Sequence, residues 1–221
     1  MSFTSKIKTI EWIDNCSRMI DQTLLPHEFK TVDIVTSEGM YDAIKTMIVR
    51  GAPAIGIAGA HGVSLAAIEI SKITNDVNEF LRLLAQKAEF IKSSRPTAVN
   101  LMWAVDKQME IAFNTCSTVS GITKAIVENG KKMELEDIEI NKKIGDFGAQ
   151  IVPKGATILT HCNAGALATV GYGTALGVVR SAFAKDKTIK VFADETRPRQ
   201  QGARLTTFEL IQDGIDTTLI T

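Results

Sequence analysis

Four short segments carry the residue types from which a small phosphorylated molecule can be bound and transformed. The first is Thr160-His161-Cys162-Asn163-Ala164-Gly165, where a short apolar run gives way to small residues. A cysteine at the carboxyl end of a parallel strand, just ahead of a helix, faces the positive end of that helix dipole, which favours its thiolate or helps it polarise a substrate group. An arbitrary cysteine is more simply a buried small residue. Its place at a strand end, where open α/β sheets bind their ligands, separates Cys162 from Cys16 and Cys116. His161 points to the opposite face of the strand end and reads as a packed or hydrogen-bonded residue rather than a base.

The second segment, Val49-Arg50-Gly51-Ala52-Pro53-Ala54-Ile55-Gly56, reads as an anion site. Proline near the first helical position leaves helix amides free, Gly51 allows close approach of the backbone, and Arg50 adds a fixed positive charge. The simpler reading is a glycine-flanked helix start with a surface arginine. Ser94-Arg95-Pro96-Thr97-Ala98-Val99-Asn100 repeats the arrangement, an arginine directly before a proline-led helix start, and two such arginines could converge on one phosphate. The fourth, Asp194 to Arg204, is dense in polar groups at the end of a second parallel strand, so part of it is expected to touch substrate or order the site.

The elements that must position these residues can be read from the spacing of apolar positions. Residues 6–35 hold alternating or β-branched stretches such as Lys8 to Ile13 and Thr31 to Val35, predicting a small sheet. Helices are predicted from Ser37, with a serine cap, over Ala52 to Ser71, over Asp76 to about Lys92, and over Thr97 to about Phe113. A long charged helix comes next, over about 118–150. Its Glu134-Leu135-Glu136-Asp137 run reads as a solvated face rather than an acidic binding motif. From Pro153 the pattern becomes strand, helix, strand, helix, strand: Ala156 to His161, Ala166 to Ala184, Ile189 to Ala193, Ala203 to Gln212 and Asp216 to Thr221. That order predicts a parallel, doubly wound sheet.

The expected fold class is therefore α/β. A strand-and-helix domain over 1–115 and a connecting helix over 116–152 precede an incomplete Rossmann-like domain over 153–221. A parallel sheet buries both faces, so an end inside the third strand reads as a fold that has been cut. Gly171, Gly173 and Gly177 are expected inside a helix, as close-packing positions rather than a dinucleotide loop, so no nicotinamide or flavin is expected.

Bulk properties exclude several functions. Twenty-five basic residues balance twenty-five acidic ones, so no global field is present to hold nucleic acid or an anionic membrane. The first residues lack the pattern of a signal peptide, and no apolar run is expected to approach the roughly 18 residues that span a bilayer, which predicts a cytoplasmic protein. Three cysteines at wide spacings, with no histidine beside them in a ligand-like pair, fit neither a disulfide framework nor a zinc site, so free thiols and no structural metal are expected.

Taken together, the four segments, with Asp21-Gln22-Thr23-Leu24-Leu25-Pro26, resemble the hallmark segments of the methylthioribose-1-phosphate isomerase family, from about residue 8 to the last residue. The resemblance implies an aldose–ketose isomerase of methionine salvage. Cys162 would be catalytic, and the phosphate would be held at Arg50, Gly51, Ala52, Arg95 and Gln201. It further implies a homodimer with an N-terminal domain and a Rossmann-like domain, using no metal or organic cofactor. The second catalytic residue of that family, an aspartate, falls beyond the position of Thr221, so the chain is expected to be truncated and inactive by itself. The same fold family includes ribose-1,5-bisphosphate isomerases and the non-enzymatic regulatory subunits of the translation-initiation nucleotide-exchange factor.

Overall fold

The computed structural model describes residues 5–115 and 118–221, so Cys116 lies outside the described residues. The chain is mixed α/β and divides into two compact units. One comprises Ile10–Ile20 and Thr31–Leu135; the other comprises Met1–Thr9, Asp21–Lys30 and Glu136–Thr221.

In the first unit, β1 (Ile10–Ile13), β2 (Cys16–Ile20) and β3 (Thr31–Ile34) form an antiparallel sheet in sequential order. The helices are α1 (Ser37–Lys45), α2 (Ala52–Ile70), α3 (Val77–Lys92), α4 (Val99–Asn114) and the first part of α5 (Val119–Gly148). The cap of α1 is Thr36 rather than Ser37. The Thr36 side chain accepts from the Gly39 amide, while the Ser37 hydroxyl turns inward to donate to Glu69. Asp76 caps α3 in the same way through the Glu79 amide, the spacing typical of such caps.

Helix α2 forms the centre of this unit, packed on α1, α3 and α4. Contrary to the sequence reading, its 19 residues are long and apolar enough to cross a membrane by length and composition. Nearly all of them are buried inside the unit, because a helix that is apolar all round must be covered on every side. Close packing needs the missing side chain at Gly59, where an added Cβ would sit 2.5 Å from Leu101 Cδ1. Most of the polar groups buried around this helix are matched. Gln108, fully buried on α4, donates to the carbonyls of Ala60 and Ile126 at 3.0 Å and accepts from Asn129. His61 lies 2.9 Å from Ser17 Oγ, and its other ring nitrogen lies 3.0 Å from Glu134 Oε1, off the line of a hydrogen bond.

In the second unit, β4 (Thr157–Thr160), β5 (Lys190–Asp194) and β6 (Asp216–Ile220) form a parallel sheet in sequential order, as the alternating pattern predicts. The crossovers are α6 (Ala175–Lys185) and α7 (Thr207–Gln212). Both pack on one face, in a core that joins Leu176, Val179, Val191, Leu210 and Ile215. The doubly wound expectation is not met by these three strands. Right-handed crossovers that step in one direction place their helices on the same side. The other face carries Leu159 and Phe192, both exposed.

The helix expected over Ala166 to Ala184 is broken. A 3₁₀ turn spans Ala166–Ala168, and α6 begins only at Ala175. Gly173 has φ +91°, and an added Cβ would meet Gly165 Cα at 2.5 Å. The Thr169 hydroxyl accepts from the amides of Tyr172 and Gly173, closing a turn where the helix would have run. Of the three glycines, only Gly177 is therefore inside a helix.

Between α6 and β5, Asp186 accepts from the Thr188 hydroxyl at 2.7 Å, the Thr188 amide at 3.0 Å and the Gly155 amide at 2.7 Å. These bonds lower its pKa to about 2 from 3.8. A carboxylate depressed in the fold stabilises it above its ordinary pKa, and that contribution is lost as pH falls from about 4 toward 2. The Asp186→Asn variant is expected to melt at a lower temperature at pH 7 and to show a flatter fall in melting temperature across that acid range.

Candidate functional site

The carboxyl end of the parallel sheet is built around Cys162. Past Thr160 the chain must leave the strand without entering a helix, and Cys162 makes that bend with φ +62°, a conformation that costs an L-residue with a β-carbon about 1–2 kcal/mol. Two threonine hydroxyls hold it there. The Cys162 amide donates to Thr196 Oγ1 at 2.9 Å, and Thr206 Oγ1 donates to the Cys162 carbonyl at 2.6 Å. Thr196 donates in turn to the Asp194 carbonyl at 3.2 Å, and Thr206 accepts from Asn163 Nδ2 at 3.2 Å. The thiol is free and half-buried.

The dipole argument for Cys162 is corrected by this geometry. The first helical element after the cysteine is a three-residue 3₁₀ turn, too short to sum into a macrodipole, and α6 starts thirteen residues later. His161 is exposed and bonded to Asp194, Nδ1 to Oδ2 at 2.9 Å, so it is hydrogen-bonded rather than packed.

The polar segment after β5 folds into a turn of π-helix over Gly202–Thr206 that runs directly into α7, where the sequence predicts a plain helix. Gly202 lies so close to the end of β5 that an added Cβ would stand 1.7 Å from the Asp194 carbonyl oxygen. Gln201, half-buried, occupies the cap position immediately before it. Arg204 turns away from ligand duty. Its guanidinium donates to the carbonyls of Leu25 and Thr23, each at 2.9 Å, and Phe208 stacks on Phe29 with ring centroids 6.3 Å apart. The early segment around Asp21 to Pro26 and the late segment around Arg204 thus clasp one another.

Beneath Cys162 lies a group that the sequence reading missed. Glu209, fully buried on α7, accepts from Asn163 Nδ2 at 2.6 Å, the Ala166 amide at 2.7 Å and Arg180 Nη2 at 2.6 Å. Arg180, also fully buried, donates further to Asp213 at 2.7 Å and to the Tyr172 carbonyl at 2.6 Å. Burial works against the charge on Arg180, but the Glu209 and Asp213 carboxylates outweigh it and raise its pKa. The visible signal was an arginine inside the apolar run Leu176 to Phe183, a place where a charge must have a partner.

The first unit holds the other candidates. Gly51 has φ +91° and ψ 135° and serves as the cap of α2, with Ala52 and Pro53 in the first turn. Arg50 and Gly51 are half-buried, and Ala52 is exposed. Arg95 lies in a turn closed by the Ala98 amide on its carbonyl, so Pro96 stands three residues ahead of α4 rather than at its start. Helices α2 and α4 run parallel: Gly56 meets Asn100, and Ala60 meets Gln108 farther along. Both positive ends therefore point the same way, with Arg50 and Arg95 at that end. Among the described residues, no group of three His, Cys, Asp or Glu side chains could hold a metal ion.

Comparison with known proteins adds a second kind of finding. The model of the initiation factor 2 subunit family matches residues 48–221. A methylthioribose-1-phosphate isomerase from Trichormus variabilis is 51% identical over 218 residues, 97% of this chain and 62% of that protein. A protein of the same name from Acetivibrio thermocellus is 53% identical over 215 residues, again 97% and 62%. Among solved structures, 5-methylthioribose 1-phosphate isomerase from Pyrococcus horikoshii OT3 superposes with a TM-score of 0.91 at 42% identity, covering 98% of this chain and 60% of that one. A structure described as translation initiation factor eIF-2B, subunit delta, from A. fulgidus gives 0.88 at 45% identity, covering 98% and 62%. The chain thus spans about three-fifths of the length of these relatives.

Two substitutions test the geometry. An alanine at Gly165 would put its Cβ about 2.1 Å from the Glu209 carboxylate, so Gly165→Ala is expected to destabilise the fold by roughly 1–3 kcal/mol in urea unfolding. Gly51→Ala forces an L-residue into a backbone region that glycine alone tolerates and is expected to cost about 1–3 kcal/mol by the same measurement.

Proposed function

We propose, from the premise that the chain belongs to the initiation factor 2 subunit family, that it is the phosphate-holding and cysteine-bearing part of a methylthioribose-1-phosphate isomerase. The observation that carries this reading is the 51% identity, across 97% of the chain, to a protein of that name. The four segments with chemical character all lie within that span.

The reaction explains what each residue would do. In an aldose 1-phosphate the anomeric oxygen carries the phosphoryl group, so the ring cannot open freely to an aldehyde. The enzyme must help the ring oxygen leave with a proton donor and then move hydrogen from C2 to C1. Transfer through an enediol-like intermediate needs a base, whereas hydride shift needs a dry, polarising pocket. In this proposal Cys162 is the catalytic residue at the reacting carbons. Arg50, Arg95 and the backbone at Gly51 and Ala52 hold the phosphate, as paired helix ends and arginines suit a dianion. The resemblance assigns Gln201 to the substrate phosphate as well. The acid–base aspartate that the resemblance implies has no counterpart among the matched segments, so in this proposal the 221 residues bind substrate without turnover. The working form is a cytoplasmic homodimer that needs no metal or organic cofactor.

A second reading is favoured by the 45% identity to the structure described as an initiation-factor subunit. Under it the chain binds sister subunits and no sugar phosphate. Calorimetric titration of the 221-residue chain with 5-methylthioribose 1-phosphate separates the two. The isomerase reading expects saturable binding, weakened roughly tenfold or more by Arg50→Ala or Arg95→Ala through loss of a charge-assisted contact, with no turnover in an isomerase assay. Ordinary turnover by the chain alone would overturn the claim of inactivity, and absence of binding would favour the subunit reading.

A further inference from the structure

We propose that Glu209 is the positioning residue of the Cys162 loop, acting through Asn163 and Ala166. The inference rests on reading Cys162 as the catalytic residue, and it adds what holds the thiol in place.

Three observations carry it. The two oxygens of one carboxylate reach both sides of the bend: Oε1 takes the Asn163 side chain at 2.6 Å, and Oε2 takes the Ala166 amide at 2.7 Å. The loop is shaped to the carboxylate, because at Gly165 any side chain would overlap it. The bend itself is unfavourable for a cysteine, with φ +62°, so it persists only while neighbouring contacts over-determine it. Asn163 links the two sets of contacts, donating both to Glu209 and to Thr206, whose hydroxyl holds the Cys162 carbonyl.

A clamp of this kind is not needed for stability alone. Buried ion pairs are commonly no more stabilising than apolar side chains of the same volume, because desolvation offsets their attraction. An apolar group, however, could not accept hydrogen bonds from the Asn163 side chain and the Ala166 amide at once. Glutamine would keep the shape but turn one acceptor into a donor facing an N–H group. Arg180 and Asp213 keep the carboxylate in its place: the guanidinium binds both acids from α6, so the side chain of Glu209 has one orientation available.

The test reads the thiol rather than the reaction. In the 221-residue protein, Cys162 is alkylated with iodoacetamide below the melting transition, and its rate is followed by peptide mass so that Cys16 and Cys116 do not interfere. Glu209→Gln is expected to raise the Cys162 rate about tenfold, the scale of one lost buried hydrogen bond, as the freed loop exposes the half-buried thiol. Val191→Ala, a core change in the same unit, is expected to lower the melting temperature and leave that rate within about twofold of the parent. Asn163→Ala is expected to reproduce the effect of Glu209→Gln, and the double variant to exceed neither, since both act through one contact. A Cys162 rate in Glu209→Gln that matches Val191→Ala would overturn the proposal and leave Glu209 a structural residue. If Glu209→Gln does not fold, an unchanged rate in Asn163→Ala overturns it equally. Failure of sugar phosphate binding leaves these rates untouched, so a failure of the positioning role and a failure of the isomerase reading are told apart.

Discussion

One pairing fixes the arrangement of the second unit around Cys162, the Glu209 carboxylate against the Arg180 guanidinium, both without exposure to solvent. Removing two such ions from water costs several kcal/mol each, and the arrangement is tolerable only because nearly every lone pair and proton is used. Glu209 accepts from three donors, and Arg180 donates to two carboxylates and a carbonyl. Asp213, the outer acid, has its pKa raised by burial, with Arg180 working in the opposite sense. Because the partners come from α6, from α7 and from the loops after β4 and after the 3₁₀ turn, the pairing ties the two crossovers to the bend at Cys162. The small residues around it obey the same constraint. Gly165 leaves room for the carboxylate, and Gly173 leaves room for Gly165.

The first unit solves a different problem, an apolar helix surrounded by other helices. Such a core would tolerate several registers if apolar contact were its only instruction. The buried side chains of Gln108 and His61 remove that freedom, since each must meet particular partners on α2, α5 or β2. With the register of α2 against α4 fixed, their first turns come together at one end. The left-handed Gly51 and the turn at Arg95 are then local details placed by a distant set of hydrogen bonds.

Much of this was legible in the sequence. The parallel strands, the long charged helix, and the helices from Ala52 and Asp76 are all dictated by the spacing of apolar residues, and the structure has them with ends shifted by only a few residues. What escaped was irregular backbone. The broken helix after Ala166 and the π turn at Gly202 have sequences that read as helical, and they depart from helix because of contacts made with other segments: Gly165 against Gly173, Gly202 against Asp194. Glu209 escaped for a related reason. In Thr207-Phe208-Glu209-Leu210 a glutamate looks like an ordinary helix-surface residue, and its burial is set by Arg180, 29 positions away.

The balance of charge sharpens the point about recognition. With as many acidic as basic residues, the chain offers an anion no long-range attraction, so selectivity must come from groups fixed at short range. Side-chain cations alone would serve poorly, because many surface arginines and lysines here are already paired, as Arg18 is with Asp33 and Arg82 with Glu79. Backbone amides at a helix start differ in that they are fixed in place, and they stay open to an anion only where no side chain caps them, as Asp76 caps α3. At the end of α2 the cap is a glycine, which has no side chain to occupy those amides, and the second helical residue is a proline, which contributes none. The sequence of that turn thus leaves its amides without a side-chain cap, and under the proposed function a phosphate is the group whose several oxygens can use them.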